Sequence, residues 1–81
     1  RREILLEALR KYGFQLSESK AGLYLWATLG ENCWKTVERM AEIGILVGPG
    51  EFYGEKNSNF VRFALTATDE RIAEAARRLM A

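Results

Sequence analysis

Histidine is absent from this sequence, and cysteine occurs once, as Cys33. A zinc site built from cysteine and histidine therefore cannot form within the chain, and neither can an intramolecular disulfide. No imidazole is available to activate the Cys33 thiol as a nucleophile. We interpret Cys33 as a small buried residue of a protein in a reducing compartment, and we expect a cytoplasmic location.

An excess of charge of one sign and a long apolar run are also missing. Twelve basic and eleven acidic residues give a net charge of +1, which supplies no electrostatic field for a phosphate backbone. No run approaches the roughly 18 apolar residues that a membrane span requires, and no signal peptide is recognisable. The sequence thus predicts no nucleic-acid partner and no membrane association.

The composition of the 81 residues, 48% hydrophobic and 28% charged, is that of one small globular domain. The chain starts with Arg1, inside a helical pattern, without a capping residue or a methionine. We therefore expect residues 1–81 to be a single domain cut from a longer polypeptide.

Three segments carry the three- and four-residue apolar spacing of amphipathic helices. Glycines end the first two segments, and an asparagine and a threonine precede the second and third as N-caps. The predicted helices and their apolar faces are 2–12 (Leu5, Ala8, Leu9, Tyr12), ended by Gly13; 33–43 (Cys33, Val37, Met40, Ala41), between Asn32 and Gly44; and 69–80 (Ile72, Ala75, Ala76, Leu79), preceded by Thr68.

Strand-favouring runs lie between these helices. Residues 22–28 and 60–66 are the strongest, and the apolar run 45–47 predicts a short buried strand. Residues 14–16 predict a short strand or an extended lead-in, and the polar residues 17–20 predict a loop. The element order predicts an α+β domain, with a small three- to four-stranded mixed or antiparallel sheet packed against three helices.

The connection between the last two strands is rich in turn residues. Residues 48–54 hold the only proline and three of the seven glycines, and a polar loop follows at 55–59. This composition predicts a specific turn, and without a lysine-serine pair or a following helix it does not predict a phosphate-binding loop. Since no helix separates the runs 45–47 and 60–66, we expect these strands to be antiparallel or one strand position apart.

A full positive charge interrupts the strand 60–66 at Arg62. Alternation turns Val61, Phe63 and Leu65 to one face and Arg62 to the other. An arginine in mid-strand either reaches solvent and pairs with a glutamate, or presents a planar fork that binds a carboxylate through two parallel hydrogen bonds. The residues of this strand leave both alternatives open.

Alternation also divides the run 22–28. Leu23, Leu25 and Ala27 share one face, while Tyr24 and Trp26 share the other. We expect Trp26 to be a simple core residue.

Taken together, three segments resemble the C-terminal small domain of class I/II, fold-type-I pyridoxal-phosphate aminotransferases. The resemblance covers about residues 13–79, and both the order and the spacing of the segments fit. The segments are AGLYLW at 21–26, GILVGPGEFYG at 44–54 and FVRFAL at 60–65. Within that family, GLYLWAT, PGEFYG and ALTATDER are most similar to bacterial N-succinyldiaminopimelate aminotransferases of lysine and diaminopimelate biosynthesis.

The resemblance implies an enzyme that moves an amino group between glutamate and a keto acid, here N-succinyl-2-amino-6-oxopimelate. It implies that Arg62 holds the α-carboxylate of the substrate and that Tyr24 lines the substrate pocket, although a merely packed Tyr24 remains an alternative. Phe52 and Tyr53 would border the same cleft. It assigns no catalytic, cofactor-binding or metal-binding residue to this chain.

In that family the cofactor-binding lysine, the aspartate beside the pyridine nitrogen and the phosphate-binding residues belong to a large domain that this chain lacks. We therefore expect pyridoxal 5'-phosphate to be bound by the missing large domain, in a homodimer, and the fragment alone to be inactive. Aromatic residues left uncovered by that domain predict self-association of the fragment. They are Tyr24, Trp26, Phe52 and Tyr53.

One alternative belongs to a different functional class. The chain could be a stand-alone α+β module that binds a small ligand or a protein without catalysis, because fold alone does not fix function.

Overall fold

The computed structural model describes residues 2–18, 22–65 and 68–81. Within these ranges the elements are α1 (Arg2–Tyr12), β1 (Gln15–Glu18), β2 (Tyr24–Thr28), α2 (Cys33–Glu42), β3 (Gly48–Pro49), β4 (Val61–Ala64) and α3 (Asp69–Met80). Two 3-10 turns, Gly50–Tyr53 and Glu55–Asn57, connect β3 to β4. The predicted α+β class with three helices is confirmed.

The four strands form one sheet in the order β1-β2-β4-β3, and every neighbouring pair is antiparallel. Trp26 of β2 and Gly48 of β3 both lie directly opposite Arg62 of β4. Residues directly opposite each other in an antiparallel pair share a face of the sheet. The strand that pairs directly with β4 on this side is β3 at residues 48–49, not the predicted strand 45–47.

The other face of the sheet builds the hydrophobic core together with the three helices. Leu25 and Ala27 of β2 and Val61 of β4 have no exposed surface, and Phe63 is 5% exposed. The helical and connecting residues buried in the same cluster are Leu5, Ala8, Leu9, Phe14, Cys33, Met40, Ile45, Ile72, Ala76 and Leu79. The sheet therefore has one helix-covered face, here called the inner face, and one opposite face, the outer face.

Local signals in the sequence account for the helix boundaries. The Asn32 side chain accepts a hydrogen bond from the Trp34 amide at 2.9 Å, and the Thr68 hydroxyl accepts one from the Arg71 amide at 3.3 Å. Both predicted N-caps are confirmed. Gly44 follows α2 with φ of +79°, a conformation that side chains disfavour, so the helix ends there.

The run 45–47 is not a strand, and that prediction was wrong. The Ile45 amide donates to the Met40 carbonyl at 2.8 Å and the Gly44 amide donates to Ala41 at 2.9 Å, which is the Schellman pattern of a helix C-terminus. The helix end thus uses the amide that a strand would need. Ile45 is buried, but Leu46 is 93% exposed, and the residues 48–49 pair with β4 instead.

The apolar face of α2 also differs from the prediction. Ala41 is exposed, and Thr36 is 1% exposed in its place. Burial of the Thr36 hydroxyl is tolerated because it donates a hydrogen bond to Glu31 Oε2 at 2.9 Å. In α1 the predicted face is confirmed except for Tyr12, which is 37% exposed and stacks on Phe14.

Two further predictions need correction. Ser17 and Glu18 were predicted as loop, but they belong to β1, an edge strand whose side chains meet solvent. Residues 19 and 20 of that predicted loop, and Thr66 of the predicted strand 60–66, lie outside the described residues. Trp26 is not in the core, since it lies half-buried on the outer face.

Candidate functional site

The outer face carries an aromatic and cationic surface at the centre of the sheet. Tyr24 and Trp26 of β2 and Arg62 of β4 are each half-buried there. Strand alternation places all three on this face because their neighbours Leu25, Val61 and Phe63 occupy the inner face. The sequence pattern that fills the core therefore also presents the arginine on the open side.

Two tyrosine rings lie against the Arg62 guanidinium. Its Cζ atom lies 4.0 Å from the centroid of the Tyr24 ring and 4.2 Å from that of Tyr53. Tyr24 belongs to β2 and Tyr53 to the turn that follows β3, and β4 lies between those two strands. Both distances are typical of cation–π contacts. One ring that contacts the guanidinium thus comes from β2, and the other comes from the turn after β3.

No carboxylate among the described residues forms an ion pair with Arg62, and no acceptor among them takes a hydrogen bond from its guanidinium. Other arginines do have such partners: Arg39 binds Glu31 at 2.9 Å, and Arg78 binds Glu74 at 2.8 Å. The alternative in which Arg62 pairs with a glutamate thus finds no partner in residues 2–18, 22–65 and 68–81. Within these ranges its N–H groups have no acceptor and can donate hydrogen bonds to solvent or a ligand.

The turn after β3 is built to a specific shape, as its composition predicted. The Gly50 amide donates to the Phe60 carbonyl at 2.8 Å, and a Cβ atom at Gly50 would overlap the carbonyls of Asn57 and Phe60. Gly48 lies beside the Tyr53 ring, and a Cβ atom there would make an ordinary contact with the Tyr53 hydroxyl at 3.4 Å. The turn therefore brings Tyr53 back over the strand that precedes it.

Phe52 lies in a separate pair of aromatic rings. It packs edge to face on Trp34 with 5.6 Å between centroids, and Trp34 Nε1 donates to Glu51 Oε1 at 3.1 Å. Phe52 is 70% exposed and Trp34 is 44% exposed. Of the four predicted site residues, the structure brings Arg62, Tyr24 and Tyr53 together, and Phe52 stands beside them on the same turn as Tyr53.

Sequence reasoning missed the contributions of Trp26 and Gly48. Trp26 packs edge to face on Tyr53, with 5.7 Å between ring centroids, and it lies opposite Arg62 in the register. Alternation did put Trp26 on the same face of its strand as Tyr24, which was a usable signal. The pairing register that sets Trp26 and Gly48 beside Arg62 depends on long-range packing and is not written in either strand alone.

The start of β4 is tied to the connection between β2 and α2. The Thr28 hydroxyl donates to the Asn59 carbonyl, and the Cys33 amide donates to the Ser58 carbonyl at 2.7 Å. In the same connection, Glu31 accepts hydrogen bonds from the Arg39 guanidinium. These bonds favour the charged carboxylate and hold the pKa of the Glu31 carboxyl below its ordinary value. These contacts fix the segment that leads into Arg62.

A cavity of about 390 Å³ lies away from the outer face, between α1, α3 and the segment after α2. Leu5, Leu46 and Phe63 line it, with Arg71 and Arg78 at the same cavity. Histidine, cysteine, aspartate and glutamate side chains do not gather in groups of three or more anywhere in the described ranges, so these ranges hold no metal-ligand cluster. Across the same ranges, every helix is too short or too polar to span a bilayer.

The sequence is similar to aminotransferases along nearly its whole length. It is 57% identical over 79 residues to 4-dedimethylamino-4-oxo-anhydrotetracycline transaminase of Streptomyces rimosus, covering 98% of this chain and 22% of that protein. It is 42% identical over 85 residues to LL-diaminopimelate aminotransferase of Gloeobacter violaceus, covering 100% of this chain and 22% of that protein. The chain thus spans about a fifth of the length of these curated relatives.

Solved structures give the same result for the fold. A probable N-succinyldiaminopimelate aminotransferase from Thermus thermophilus superposes with a TM-score of 0.78 at 33% identity, over 98% of this chain and 22% of that one. L,L-diaminopimelate aminotransferase from Chlamydomonas reinhardtii superposes with a TM-score of 0.84 at 28% identity, over 98% and 20%. The family model for aminotransferase class I and II matches residues 1–79, and the chain therefore belongs to that family.

Proposed function

We propose that this chain is the C-terminal domain of a pyridoxal-phosphate-dependent aminotransferase, and that Arg62 binds the α-carboxylate of the amino acid or keto acid substrate. One observation carries this proposal. Arg62 lies on the open face of a rigid sheet, against two aromatic rings, with no carboxylate partner among the described residues. A guanidinium without an internal carboxylate partner is well placed to bind an external anion.

The chemistry of guanidinium matches a carboxylate in shape as well as charge. Its coplanar N–H groups make two parallel hydrogen bonds to the two oxygens of one carboxylate, so the bound group is oriented as well as held. Fixing the α-carboxylate also fixes the directions of the amino nitrogen and the α-hydrogen. Such positioning accelerates a reaction without any proton transfer by Arg62 itself.

The aromatic residues would shape the rest of the substrate cleft. Tyr24 and Tyr53 would line the pocket through their contact with Arg62, and Phe52, on the same turn, would border it. The half-buried state of Tyr24 leaves part of its ring available to a substrate. We propose no metal ligand and no catalytic residue in this chain.

Pyridoxal 5'-phosphate is the cofactor that the family implies, and the described residues do not fit it. The lysines among them, Lys11, Lys35 and Lys56, are all exposed, on α1, α2 and the second 3-10 turn. None of them can offer the enclosed amine that the cofactor requires. We propose that the missing large domain binds the cofactor, which acts as an electron sink, and that the 81-residue chain alone is inactive.

The proposed substrates are glutamate as amino donor and N-succinyl-2-amino-6-oxopimelate as acceptor, in lysine and diaminopimelate biosynthesis. Support comes from the likeness to the Thermus thermophilus protein and from relatives that are LL-diaminopimelate aminotransferases. The similarity to the Streptomyces rimosus transaminase makes other acceptors necessary competitors in any assay.

We further propose a cytoplasmic homodimer in which the large domain covers the outer face. In the 81-residue chain, Tyr24, Trp26, Phe52 and Tyr53 lack that cover and favour self-association. Sedimentation equilibrium tests this directly. A monomeric mass at millimolar concentration would contradict it.

A reading-frame comparison separates the enzyme from a stand-alone binding module. Roughly 270 to 300 residues of alternating helices and strands upstream of Arg1 would fit the enzyme, as one domain of upper ordinary size with linkers. A start codon immediately before Arg1 would favour the module.

The decisive functional experiment uses the protein encoded by the complete reading frame. Transamination from glutamate is measured with the proposed acceptor and with competing keto acids, in the wild type and in Arg62→Lys. Lysine keeps the charge but loses the planar fork, so kcat/KM for glutamate is expected to fall by about 100-fold.

The matched control is Arg10→Lys, an exposed arginine on α1. It is expected to keep the wild-type kcat/KM. Equal kcat/KM values for Arg62→Lys and the wild type would refute the carboxylate role of Arg62.

A further inference from the structure

We propose that Tyr53 is a positioning residue that holds the Arg62 guanidinium ready for a carboxylate. Gly48 lies beside the Tyr53 ring, so a side chain larger than a methyl group at position 48 is expected to displace the ring. This inference rests on the proposed function of Arg62. It assigns to Tyr53 a role on the arginine in addition to its place at the substrate cleft. The ring of Tyr53, not its hydroxyl, performs that role.

The Tyr53 ring contacts Arg62 and both of the residues that lie opposite Arg62 in the sheet. Its ring centroid is 4.2 Å from Arg62 Cζ and 5.7 Å from the Trp26 ring, which meets it edge to face. On its other side, Gly48 carries no side chain at the point 3.4 Å from the Tyr53 hydroxyl. Trp26 and Gly48 are the two residues directly opposite Arg62 in the sheet.

The aromatic contacts leave the N–H groups of the guanidinium available for hydrogen bonds to a carboxylate. An aromatic ring against the guanidinium offers attraction to the charge but no oxygen to accept a hydrogen bond from its N–H groups. Tyr24 supplies a second ring in the same way. The in-plane N–H groups then remain available, and fewer side-chain conformers are lost when a carboxylate binds.

The backbone of the turn does not depend on the Tyr53 ring. The turn is closed by the hydrogen bonds from Gly50 to Phe60 and from Gly54 to Glu51, and the Tyr53 side chain is 44% exposed. Removal of the ring therefore leaves the turn in place. This makes Tyr53 a residue whose substitution reports on Arg62 and not on folding.

The experiment uses the complete enzyme and measures kcat and KM for glutamate, together with the inhibition constant Ki of glutarate. Glutarate is the dicarboxylate that lacks the amino group, so its Ki reports carboxylate binding without reaction. Tyr53→Leu is expected to raise both the KM for glutamate and the Ki of glutarate by about tenfold, the size of one partly desolvated cation–π contact. Tyr53→Phe keeps the ring and is expected to stay within about twofold of wild type.

A second variant reaches the same ring without changing it. Gly48→Val adds a side chain whose Cβ atom would touch the Tyr53 hydroxyl at 3.4 Å and Arg62 Cβ at 3.8 Å. Its two further methyl groups are expected to displace the Tyr53 ring and to raise the Ki of glutarate as Tyr53→Leu does. The control is Tyr12→Leu, a tyrosine on α1 that is 37% exposed and stacks on Phe14. Its Ki is expected to equal that of the wild type.

The outcomes distinguish this inference from the proposed function. If Arg62→Lys raises the Ki of glutarate while Tyr53→Leu and Gly48→Val do not, the positioning role is wrong and the role of Arg62 stands. If Arg62→Lys leaves the Ki unchanged, the proposed function itself is wrong. A Tyr53→Phe variant as impaired as Tyr53→Leu would move the role to the hydroxyl and overturn the inference as stated.

Discussion

The two faces of the sheet are built from the same strands but differ in composition and burial. On the inner face Leu25, Ala27 and Val61 have no exposed surface and pack against three helices. On the outer face their immediate neighbours Trp26 and Arg62 are half-buried. Adjacent residues of a strand point to opposite faces. A position that stabilises the fold is therefore followed by one that is accessible to a ligand.

The comparison shows that the candidate site and the hydrophobic core occupy opposite faces of the same sheet. In the central strands β2 and β4, the charged side chain of Arg62 lies on the outer face, where it meets aromatic rings. The inner face is purely apolar at the centre of the sheet, so its burial is not offset by desolvation of a charge. Substitutions on the two faces should therefore separate stability from binding.

The largest expected effect is the loss of stability when the inner face is truncated. Leu25→Ala removes a side chain with no exposed surface and is expected to lower the free energy of unfolding by about 3 kcal/mol, as other buried leucines do. Urea denaturation of the 81-residue chain measures this. The control is Leu46→Ala, at a leucine that is 93% exposed, with an expected change within about 0.5 kcal/mol.

Arg62→Met is the counterpart on the outer face. It keeps much of the side-chain length and packing while removing the charge, so the unfolding free energy is expected to change by no more than about 1 kcal/mol. A loss as large as that of Leu25→Ala would show that Arg62 supports the fold, and the distinction between the faces would fail.

The smallest expected effect concerns the connection between β2 and α2, which belongs to neither face. The pKa of Glu31 is lowered by its hydrogen bonds from Arg39, with Thr36 contributing a further one and Lys35 a weaker attraction. A carboxyl with a lowered pKa in the folded state stabilises the fold above its ordinary pKa of 4.5. That contribution is lost as the pH falls through the lowered pKa.

Thermal melts from about pH 6 to about pH 3 test this, because they cross the ordinary pKa of a glutamate. The Tm of the wild type is expected to fall more steeply on acidification than that of Glu31→Gln, which carries no titrating group at this position. Parallel curves would contradict the role of Glu31. Glu7→Gln, at an exposed residue of α1, is the matched control and is expected to follow the wild type.

Local patterns in the sequence were sufficient for much of the architecture. Apolar spacing and capping residues such as Asn32 and Thr68 located the three helices, and alternation located β2 and β4. The predicted inward residues are confirmed for Leu25 and Ala27 but not for Leu23, which precedes β2 and is 46% exposed. These features depend on neighbours within one turn of helix or one strand. Capping and apolar periodicity act between residues that are close in the sequence, so both can be recognised from the sequence alone.

Two features escaped the apolar pattern although they are local. The run 45–47 has the composition of a strand, but the Schellman end of α2 uses its first amide and leaves Leu46 in solvent. Thr36 is buried through a hydrogen bond to Glu31, which periodicity does not register. Both depend on a hydrogen bond to a residue five positions away, which apolar periodicity does not take into account.

The candidate site was predictable in part for the same reason. Arg62 was identified because a charge in a strand breaks a local pattern, and its resemblance to a family motif added a role for Tyr24, Phe52 and Tyr53. The convergence of Tyr24 and Tyr53 on the guanidinium required the strand order β2-β4-β3, which no single segment encodes. The contact of Tyr53 with Trp26 needed the same register.

The most direct measurement is a crystal structure of the complete enzyme with glutarate bound. The account predicts that both oxygens of one glutarate carboxylate lie within about 3 Å of guanidinium nitrogens of Arg62, with the Tyr24 and Tyr53 rings still against that side chain. Glutarate bound in the active site with its carboxylates on other residues, and Arg62 touching neither, would contradict the account.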